Sequence, residues 1–368
     1  MKRLLLGLIP ILALASCSQG NKFDLNVTVT GQPTGNMVYL QTLNEREFIN
    51  VDSTEIKDNA FTFTGQLEQP DLYFIRIGQS EPIMLFLENS SIEVKANLDS
   101  IDKAVIKGSA TQDLYKSYNT GLLPIQAKMD NLYAKADSLK MVNALTPSAD
   151  KQLEIEYDAI SSEQSAYTNK FIQDNPKSVA SAFIAYRFLA NRLEFPELEK
   201  LVLLFDASIA KSQYVVKLTE KVETMRKTAV GQPYVDFSLA DTSGTQISLS
   251  SLVDGKTVVM IDFWASWCGP CRGENPSVVA MYAELKGKGF QIMGVSLDKT
   301  KEAWIKGIKE DGITYPQVSD LLYWQSAAAK LYAVSGIPHT VLIGKDGKIA
   351  AKNLRGDELK AKVLELLK

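Results

Sequence analysis

A cysteine pair marks a junction between a strand and a helix in the C-terminal part of the chain. The apolar run Val258–Trp264 predicts a buried strand, and Trp267-Cys268-Gly269-Pro270-Cys271 follows it and opens a helical stretch. Unsatisfied backbone N–H groups and the positive end of the helix dipole favour a thiolate at such a position. A three-residue spacing places both sulfurs on one face of the first turn, and Pro270 suits a first turn because its missing N–H has no helical partner there. The pattern predicts reversible exchange between a dithiol and a disulfide.

The N-terminus has the pattern of a secretion signal. Two basic residues precede the apolar stretch Leu4–Leu14, which is short for a membrane span. The sequence Leu14-Ala15-Ser16-Cys17 then resembles a bacterial lipobox. We therefore expect residues 1–16 to be a lipoprotein signal peptide and Cys17 to be lipidated, with an uncleaved anchor or an ordinary signal peptide as the alternative. Such a chain is anchored by lipid in the cell envelope and faces the periplasm, and Ser18 after the cysteine favours the outer membrane.

The cysteine count and the charge narrow the possibilities further. The chain has three cysteines, so lipidation of one leaves Cys268 and Cys271 to pair only with each other, and no structural disulfide framework is expected. An extracytoplasmic setting favours disulfide chemistry. Loss of residues 1–16 removes two basic side chains and changes the formal net charge from −3 to −5. A mildly acidic chain without a basic patch gives no reason to expect a nucleic-acid partner.

Residues 22–110 have the period-two pattern of short strands. Phe23, Leu25, Val27 and Val29 alternate with polar residues, and further β-rich runs follow at intervals of ten to twelve residues. Eight such strands predict an all-β sandwich or barrel-like domain. The further predicted strands are Met37–Leu40, Phe48–Val51, Phe61–Thr64, Leu72–Ile77, Ile83–Leu87, Ile92–Ala96 and Ala104–Ile106. With no histidine, cysteine or paired-acid cluster, this domain is interpreted as a packing or partner-recognition module.

Residues 111–229 follow the period of helices. We predict four or five helices, with Pro147 and Ser148 at the start of one of them. Two sets of residues are each expected on one face of a helix: Leu132, Ala136 and Leu139, and Phe183, Ala185, Tyr186 and Leu189. The tyrosines of this segment could line a ligand groove, but aromatic residues at helical spacing more often form a core or a homodimer contact; they are Tyr115, Tyr118, Tyr133, Tyr157 and Tyr167.

Residues 231–368 alternate strands with helices, which predicts an α/β domain with a largely parallel sheet. The predicted elements include lead-in strands at Val235–Leu239 and Ile247–Leu249, and a helix that begins at Cys268. The remaining ones are a strand at Phe290–Ser296, helices at Lys301–Glu310 and Gln325–Tyr332, a hairpin of Thr340–Ile343 with Ile349–Ala351, and a final helix at Asp357–Leu367.

This last domain resembles the thioredoxin superfamily, and within it the TlpA/ResA-like extracytoplasmic branch. The run Ile261–Cys271 is similar to the thioredoxin active-site segment, and Gly336-Ile337-Pro338 resembles the family loop that faces the cysteines. About 24 residues, roughly Leu297–Asp320, stand where this branch has an insertion. The β-rich domain more loosely resembles the domain of unassigned function that often precedes thioredoxin-like modules in bacterial lipoproteins.

The resemblance implies roles for the two cysteines. Cys268 would be the exposed nucleophile that attacks a client disulfide, and Cys271 would resolve the mixed disulfide. No organic cofactor and no metal are expected. A soft-metal site that uses both cysteines and His339, the only histidine of the chain, is the less favoured alternative.

The resemblance also implies a client-binding surface around the cysteines. Trp267, Gly269 and Pro270 belong to the active-site segment, and Pro338 would have a cis peptide bond in the facing loop. A proline there leaves neighbouring backbone groups free to pair with an extended client. Ile337 and His339 flank it; a histidine at this position could tune the cysteines or contact a client, but is more often partly exposed without a chemical role.

Two acidic residues are candidates for proton transfer. Asp262 lies on the predicted buried strand, where an unpaired carboxylate tends to hold its proton. Thioredoxins have Asp at the matching position, beneath the resolving cysteine, whereas the TlpA/ResA-like branch often has Asn. Glu274 stands where that branch commonly has an acid, with a solvent-facing helical glutamate as the alternative.

The Gly-Pro pair between the cysteines is that of thioredoxin, a reductant with a potential of about −270 mV. By analogy we expect a protein-disulfide reductase supplied with electrons by a membrane thiol reductase of the DsbD or CcdA type. A disulfide isomerase or oxidase is the alternative enzyme, and a redox-sensing or ligand-binding lipoprotein without turnover is the alternative from another class. Clients in cytochrome c maturation or in general envelope repair both fit.

Overall fold

The computed structural model describes residues 22–31, 35–44 and 47–368. The predicted signal peptide and Cys17 lie outside the described residues. Among the residues that it describes, the structure has no helix that is both long and apolar enough to cross a membrane.

Two compact units make up the described chain. One contains the described residues up to Ile184 together with Asp206–Gln213, and the other contains Ala185–Phe205 and Tyr214–Lys368. Each unit has its own core of buried hydrophobic side chains. The helical segment predicted at 111–229 therefore contributes helices to both units.

The first unit contains a sandwich of two four-stranded sheets, ordered β4-β1-β7-β8 and β3-β2-β5-β6. The eight strands among its described residues are β1 Phe23–Thr30, β2 Met37–Asn44, β3 Glu47–Glu55, β4 Ala60–Gly65, β5 Asp71–Ile77, β6 Ile83–Leu87, β7 Ser91–Asn97 and β8 Val105–Lys107. Buried and exposed residues alternate strictly along β1, and its inward side chains share one core with those of β5 and β6 from the other sheet. The predicted all-β sandwich is confirmed.

Three helices follow the sandwich in the same unit: α1 Ala110–Met141, α2 Pro147–Asp174 and α3 Val179–Ile184. The helix predicted at Pro147 begins there, capped by the Thr146 side chain. Tyr118 is fully buried and its hydroxyl lies 3.0 Å from that of Thr168. Tyr133 and Tyr157 are exposed, so a place in the core was wrong for these two, and a homodimer contact there stays a prediction. The fully buried positions of α1 end at Leu132, and in the later turns Ala136 and Leu139 are partly buried while their neighbours are exposed.

The helical part of the second unit contains a π-helical turn at Ala185–Leu189, then α4 Phe195–Val202 and α5 Gln213–Lys227, of which Gln213 is assigned to the first unit. Tyr186 lies in the π-helical turn and is exposed. Its predicted place on one face with Phe183, Ala185 and Leu189 was wrong, since those three are buried; a π turn changes the angle between successive side chains.

A five-stranded sheet, ordered β13-β12-β11-β14-β15, forms the centre of the second unit. The strands are β11 Val258–Trp264, β12 Phe290–Ser296, β13 Gln317–Val318, β14 His339–Ile343 and β15 Ile349–Lys352, and β9 Ser238–Ala240 with β10 Gln246–Ser248 form a separate hairpin. All seven residues of β11 are buried. The thioredoxin-like fold is confirmed, but the sheet is mixed: β14 and β15 run antiparallel to their neighbours.

The helices of this α/β region are α6 Gly269–Leu285, α7 Lys301–Glu310, α8 Ala327–Leu331 and α9 Gly356–Leu367. The helix predicted over Gln325–Tyr332 is shorter than expected, because Ser326 has an extended ψ of 130° and separates α8 from a 3-10 turn. The hairpin turn before β15 contains Gly347 at φ 72°, a left-handed value that glycine adopts without strain.

Candidate active site

The cysteine pair lies where strand β11 meets helix α6. Cys268 is the N-cap residue of α6, and its Sγ accepts a hydrogen bond from the backbone N–H of Cys271 at 3.2 Å. Cys268 and Cys271 are joined by a disulfide, with their Cα atoms 5.3 Å apart. When the pair is reduced, the same N–H group and the helix dipole favour the thiolate of Cys268.

The expectation that Cys268 is exposed was wrong for this oxidised state. Its relative exposure is only 4%, and that of Cys271 is 1%. The physical reason is that Sγ of Cys268 points back over the first helical turn, towards Cys271 and its N–H group. The exposed residues beside it are Trp267, Gly269 and Pro270, which the resemblance placed on the client-binding surface.

Asp262 is buried on β11, six residues before Cys268. The pKa of Asp262 is raised to about 7: burial is the main cause, a hydrogen bond from the Tyr315 hydroxyl at 3.1 Å opposes the rise, and the negative charge of Glu274 adds to it. A carboxyl group with this pKa can both accept and release a proton near neutrality.

Glu274 lies on α6, partly buried, and is not simply a solvent-facing residue. Its Oε1 accepts a hydrogen bond from the backbone N–H of Gly356 at 3.2 Å, and its charge acts on Asp262. The structure therefore connects the two predicted acids electrostatically.

The loop before β14 has the cis peptide bond that the resemblance implied, between Ile337 and Pro338. In the antiparallel pairing of β11 with β14, Phe263 faces His339. This register places Ile337 and Pro338 at the end of β11 that leads to Cys268. The carbonyl of Pro338 accepts a hydrogen bond from the Arg355 guanidinium at 2.9 Å.

His339 is more buried than expected, with a relative exposure of 9%. It lies inside the sheet on a strand whose five residues are all buried. Burial and the charges of Lys352 and Arg355 lower the pKa of His339 to about 3, so its imidazole is neutral at physiological pH. Among the described residues, no group of three or more His, Cys, Asp or Glu side chains could hold a metal ion.

Comparisons with known proteins agree with this geometry. The AhpC/TSA family model matches residues 230–352, and a domain of unknown function (DUF4369) matches residues 23–115. Thiol-disulfide oxidoreductase ResA of Bacillus thuringiensis subsp. konkukian is 30% identical over 178 residues, which are 48% of this chain and 96% of the relative. The chain belongs to the ResA family of thiol-disulfide oxidoreductases.

Further relatives carry the same description. ResA of Bacillus subtilis is 35% identical over 119 residues, 32% of this chain and 64% of the relative. The thioredoxin domain of a thiol-disulfide oxidoreductase from Bacteroides vulgatus has 35% identity, covers 38% of this chain and 99% of the solved chain, and has a TM-score of 0.36. This ResA-family protein is a thiol-disulfide oxidoreductase.

One network around the ResA-family disulfide was missed by the sequence analysis. Asp298, in the segment after β12, is buried and accepts hydrogen bonds from the Ser266 backbone N–H at 3.1 Å, the Ser266 hydroxyl at 2.6 Å and the Ser296 hydroxyl at 2.8 Å. It therefore fixes the turn that precedes the cysteines. The one sequence signal was an Asp two residues after the predicted strand Phe290–Ser296.

Arg272 forms a second network that the sequence did not reveal. Its Nε donates to both carboxylate oxygens of Asp311 at 2.7 and 2.5 Å, one terminal nitrogen donates to Glu310 at 2.9 Å, and the other donates to the carbonyl of Ser266 at 3.0 Å. Asn275 donates to the same Asp311 carboxylate at 2.6 Å. These bonds connect the first turns of α6 to the end of α7, which lies in the predicted insertion.

An aromatic platform beside the disulfide was also missed. We define it as Trp267, Tyr323 and Trp324; the rings of Tyr323 and Trp324 lie 5.1 and 6.1 Å from that of Trp267. Lys299 lies 4.5 Å above the Tyr323 ring. Leu321 and Tyr323 both have φ of 58°, a left-handed conformation that is uncommon for bulky residues. The platform adds a broad apolar surface to the predicted client-binding residues.

Proposed function

We propose that this ResA-family protein is an extracytoplasmic reductase of protein disulfides that works by dithiol exchange at Cys268 and Cys271. The observation that carries the proposal is the place of Cys268 at the N-cap of α6, where the Cys271 N–H group lies 3.2 Å from its sulfur. A Cys268 thiolate that is stabilised at this N-cap position is the nucleophile for attack on a client disulfide.

The reaction proceeds through a mixed disulfide. The Cys268 thiolate attacks one client sulfur, so that a bond forms between the two proteins and the second client sulfur leaves as a thiolate that takes a proton from water. The Cys271 thiolate then attacks the Cys268 sulfur, the bond to the client breaks, and the client leaves with its second thiolate. Two electrons pass to the client, and the protein is left with the disulfide of the described structure.

Asp262 is proposed to receive the proton that Cys271 must lose before the second attack. Its pKa near 7 suits this role, since a base with that pKa is ionised often enough to accept a proton and strong enough to hold it at neutral pH. Burial keeps the Asp262 pKa high, and the negative charge of Glu274 contributes to the rise. Both acids are positioned by β11 and α6, the elements that also hold the cysteines.

Clients are proposed to bind across the exposed surface of Trp267, Gly269 and Pro270, with the loop at Ile337 and Pro338 alongside. The adjoining His339 is buried and neutral, so it can contact only those client groups that approach from the side of that loop.

The extracytoplasmic location rests on the N-terminal sequence, where the lipobox-like Leu14-Ala15-Ser16-Cys17 ends an apolar stretch. A reductase outside the cytoplasm needs electrons from across the membrane, and we propose a thiol reductase of the DsbD or CcdA type as the donor. Lipidated Cys17 would hold the protein at the membrane, facing the periplasm. Cytochrome c maturation is one process that would use such a reductase.

The direction of electron flow is tested by the reduction potential of the full-length chain in thiol/disulfide buffers. Trp264 and Trp267 are adjacent to the pair and report its redox state by fluorescence, and Cys268→Ser provides the control without a redox transition. A potential near or below about −250 mV supports the reductase, whereas a value above about −180 mV overturns it in favour of an oxidase or isomerase.

A second experiment tests turnover itself. The Cys271→Ser variant can form the mixed disulfide but cannot resolve it, so an enzyme with several clients accumulates several covalent complexes in the cell envelope. The matched Cys268→Ser variant should trap none. Capture of a single partner, or of none, would indicate a redox sensor instead of a reductase.

A further inference from the structure

A cavity of about 350 Å³ lies beside the cis-Pro loop, entirely within the unit that carries the cysteines. The residues after the π-helical turn, helix α5, and strands β14 and β15 with the loop before β14 all contribute to its walls. The lining that matters for its chemistry consists of Asn191–Glu194, Lys221, Ile337–His339, Lys352, Asn353 and Arg355.

Positive charge predominates in this cavity. Its cationic side chains are Arg192, Lys221, Lys352 and Arg355, and its single acidic side chain is Glu194. Within the described part of the chain, none of the four cations has a carboxylate within 4.0 Å, while ion pairs are formed elsewhere in the same unit. Lys221 donates to the neutral amide of Asn191 at 2.6 Å, and Glu194 accepts from the neutral amide of Asn353 at 2.7 Å.

Two of the cations are partly desolvated. Burial lowers the pKa of Lys221 to about 8 and also lowers the pKa of Lys352, and in both cases the charge of Glu194 opposes the decrease. The Glu194 carboxylate therefore acts on two ammonium groups, those of Lys221 and Lys352, that have lost part of their water. An additional anion in the cavity would relieve this cost by pairing with them.

His339 provides an independent observation that points to a ligand. It lines the cavity, is more than nine-tenths buried, and its Nε2 has no hydrogen-bond partner among the described residues. An unpaired buried polar atom is costly. A ligand with an oxygen atom at this wall of the cavity would supply the missing partner.

The cavity is next to the path that a client takes to the cysteines. Ile337 and Pro338 line it, and the pairing of Phe263 with His339 places these residues at the Cys268 end of β11. Arg355 lines it as well and holds the Pro338 carbonyl. A polypeptide that runs along the cis-Pro loop during exchange can therefore extend one side chain into the cavity.

We propose that this cavity binds the carboxylate of an Asp or Glu side chain that flanks the reactive disulfide of a client, so that the protein prefers clients with an acidic residue there. Lys221 and Lys352 would pair with the carboxylate, and His339 would meet it or the adjoining peptide at Nε2. The proposal rests on the proposed function in that the ligand is part of a protein client.

The unique histidine allows a direct binding test. In the oxidised full-length chain, the only imidazole resonances in the NMR spectrum are those of His339. The chain would be titrated with a series of non-reactive peptides, in each of which a serine replaces the client cysteine and a single Glu stands at a different position near that serine. Matched peptides with Gln in place of Glu serve as controls. We expect one Glu peptide to shift the His339 signal with saturation, and to bind roughly tenfold or more tightly than its Gln counterpart.

Variants separate the cavity from general attraction of charge. Lys221→Met and Lys352→Met each remove a cationic group but keep the aliphatic length, and each should weaken Glu-peptide binding about tenfold. Lys256→Met is the matched control, because Lys256 is exposed before β11, at the end of that strand opposite Cys268. If Lys221→Met does not fold, Lys352→Met alone decides. Equal binding of Glu and Gln peptides, or an equal loss in Lys256→Met, overturns the proposal.

Two further arms separate the remaining outcomes. Inorganic phosphate that shifts the His339 signal while no peptide does so would mark a site for free anions and overturn the client assignment. With the reduced chain, we would compare the rates at which it reduces disulfide forms of the Glu and Gln peptides. Equal rates refute the preference for acidic clients, while the proposed function stands. Failure to reduce either peptide, with Glu-selective binding retained, would instead count against the proposed function.

Discussion

Replacing Asp262 by Asn is expected to stabilise the oxidised protein at alkaline pH and to slow its turnover there. Asp262 is buried and lies on the central strand, and among the described residues Tyr315 is the only one whose side chain donates a hydrogen bond to it. Above neutral pH the folded protein holds the Asp262 carboxylate as a buried negative charge, and the negative charge of Glu274 repels it. Asn has nearly the same shape and carries no charge at any pH.

The magnitude follows from the pKa of Asp262. It rises from an ordinary value of 3.8 to about 7 in the folded protein, and each pH unit of that interval is worth about 1.4 kcal/mol. Below pH 3.8 both the folded and the unfolded chain hold the proton, so the carboxyl group costs nothing. Between pH 4 and 7 only the unfolded chain releases it, and stability falls as pH rises. The loss reaches about 4 kcal/mol above pH 7, and Asp262→Asn should recover it.

Tryptophan fluorescence makes this measurable in the full-length chain. All four tryptophans, Trp264, Trp267, Trp304 and Trp324, belong to the second unit, so urea unfolding followed by fluorescence reports that unit. The matched control is Asp254→Asn, at the other end of β11. Hydrogen bonds from backbone N–H groups lower the pKa of Asp254, so this control should lose stability at neutral pH and recover it as pH falls.

A stability gain that is the same at pH 5 and pH 8 would refute the linkage, because it would come from packing and not from ionisation. For turnover, the rate of disulfide exchange of Asp262→Asn should fall behind that of the native protein as pH rises past about 7, where native Asp262 is a carboxylate able to accept a proton. An unchanged pH–rate profile would remove the proton-transfer role of Asp262.

Three further changes test the surroundings of the site. Tyr315→Phe removes the hydrogen bond that lowers the pKa of Asp262, so the midpoint of the native pH–rate profile should move to higher pH; a shift to lower pH would contradict this. Asp298→Ala removes three hydrogen bonds that hold the turn before the cysteines. It should lower the free energy of unfolding in urea by roughly 3 kcal/mol or more. A decrease below about 1 kcal/mol would show that other contacts hold the turn. Tyr323→Ala removes part of the aromatic platform and should lower the second-order rate with peptide disulfides about two- to tenfold, while the reduction potential stays the same; a changed potential would mean that Tyr323 acts on the cysteines and not on the client.

Elements with a strong local pattern were predicted closely. Strand β12 and helix α7 have the bounds that the sequence indicated, because the apolar run after Gly289 and the N-cap residue Thr300 are local signals. The thiolate-favouring position of Cys268 was predictable for the same reason, since capping depends on residues within one turn.

What the sequence did not reveal depends on residues that are distant along the chain. Ser266 and Asp298 are separated by 32 positions and Arg272 and Asp311 by 39, so no local pattern connects either pair. The exposure of His339 was mispredicted because its burial follows from the pairing of β14 between β11 and β15, which a single strand pattern does not specify. The cavity beside it similarly requires helix α5 and strand β15 to be placed together.

Asp262 and His339 show how two buried titratable groups on neighbouring strands can have different consequences. Burial disfavours charge on both, which raises the pKa of Asp262 to about 7 and lowers that of His339 to about 3. Only Asp262 therefore changes its protonation in the range where protein thiols react, so it is the one that can exchange a proton with a cysteine during turnover. His339 stays neutral there, and its pKa would rise only if an anion bound beside it. Proton transfer and the recognition of client charge would thus belong to different residues, and substitutions at Lys221 should alter the preference among clients without moving the pH dependence that Asp262 imposes.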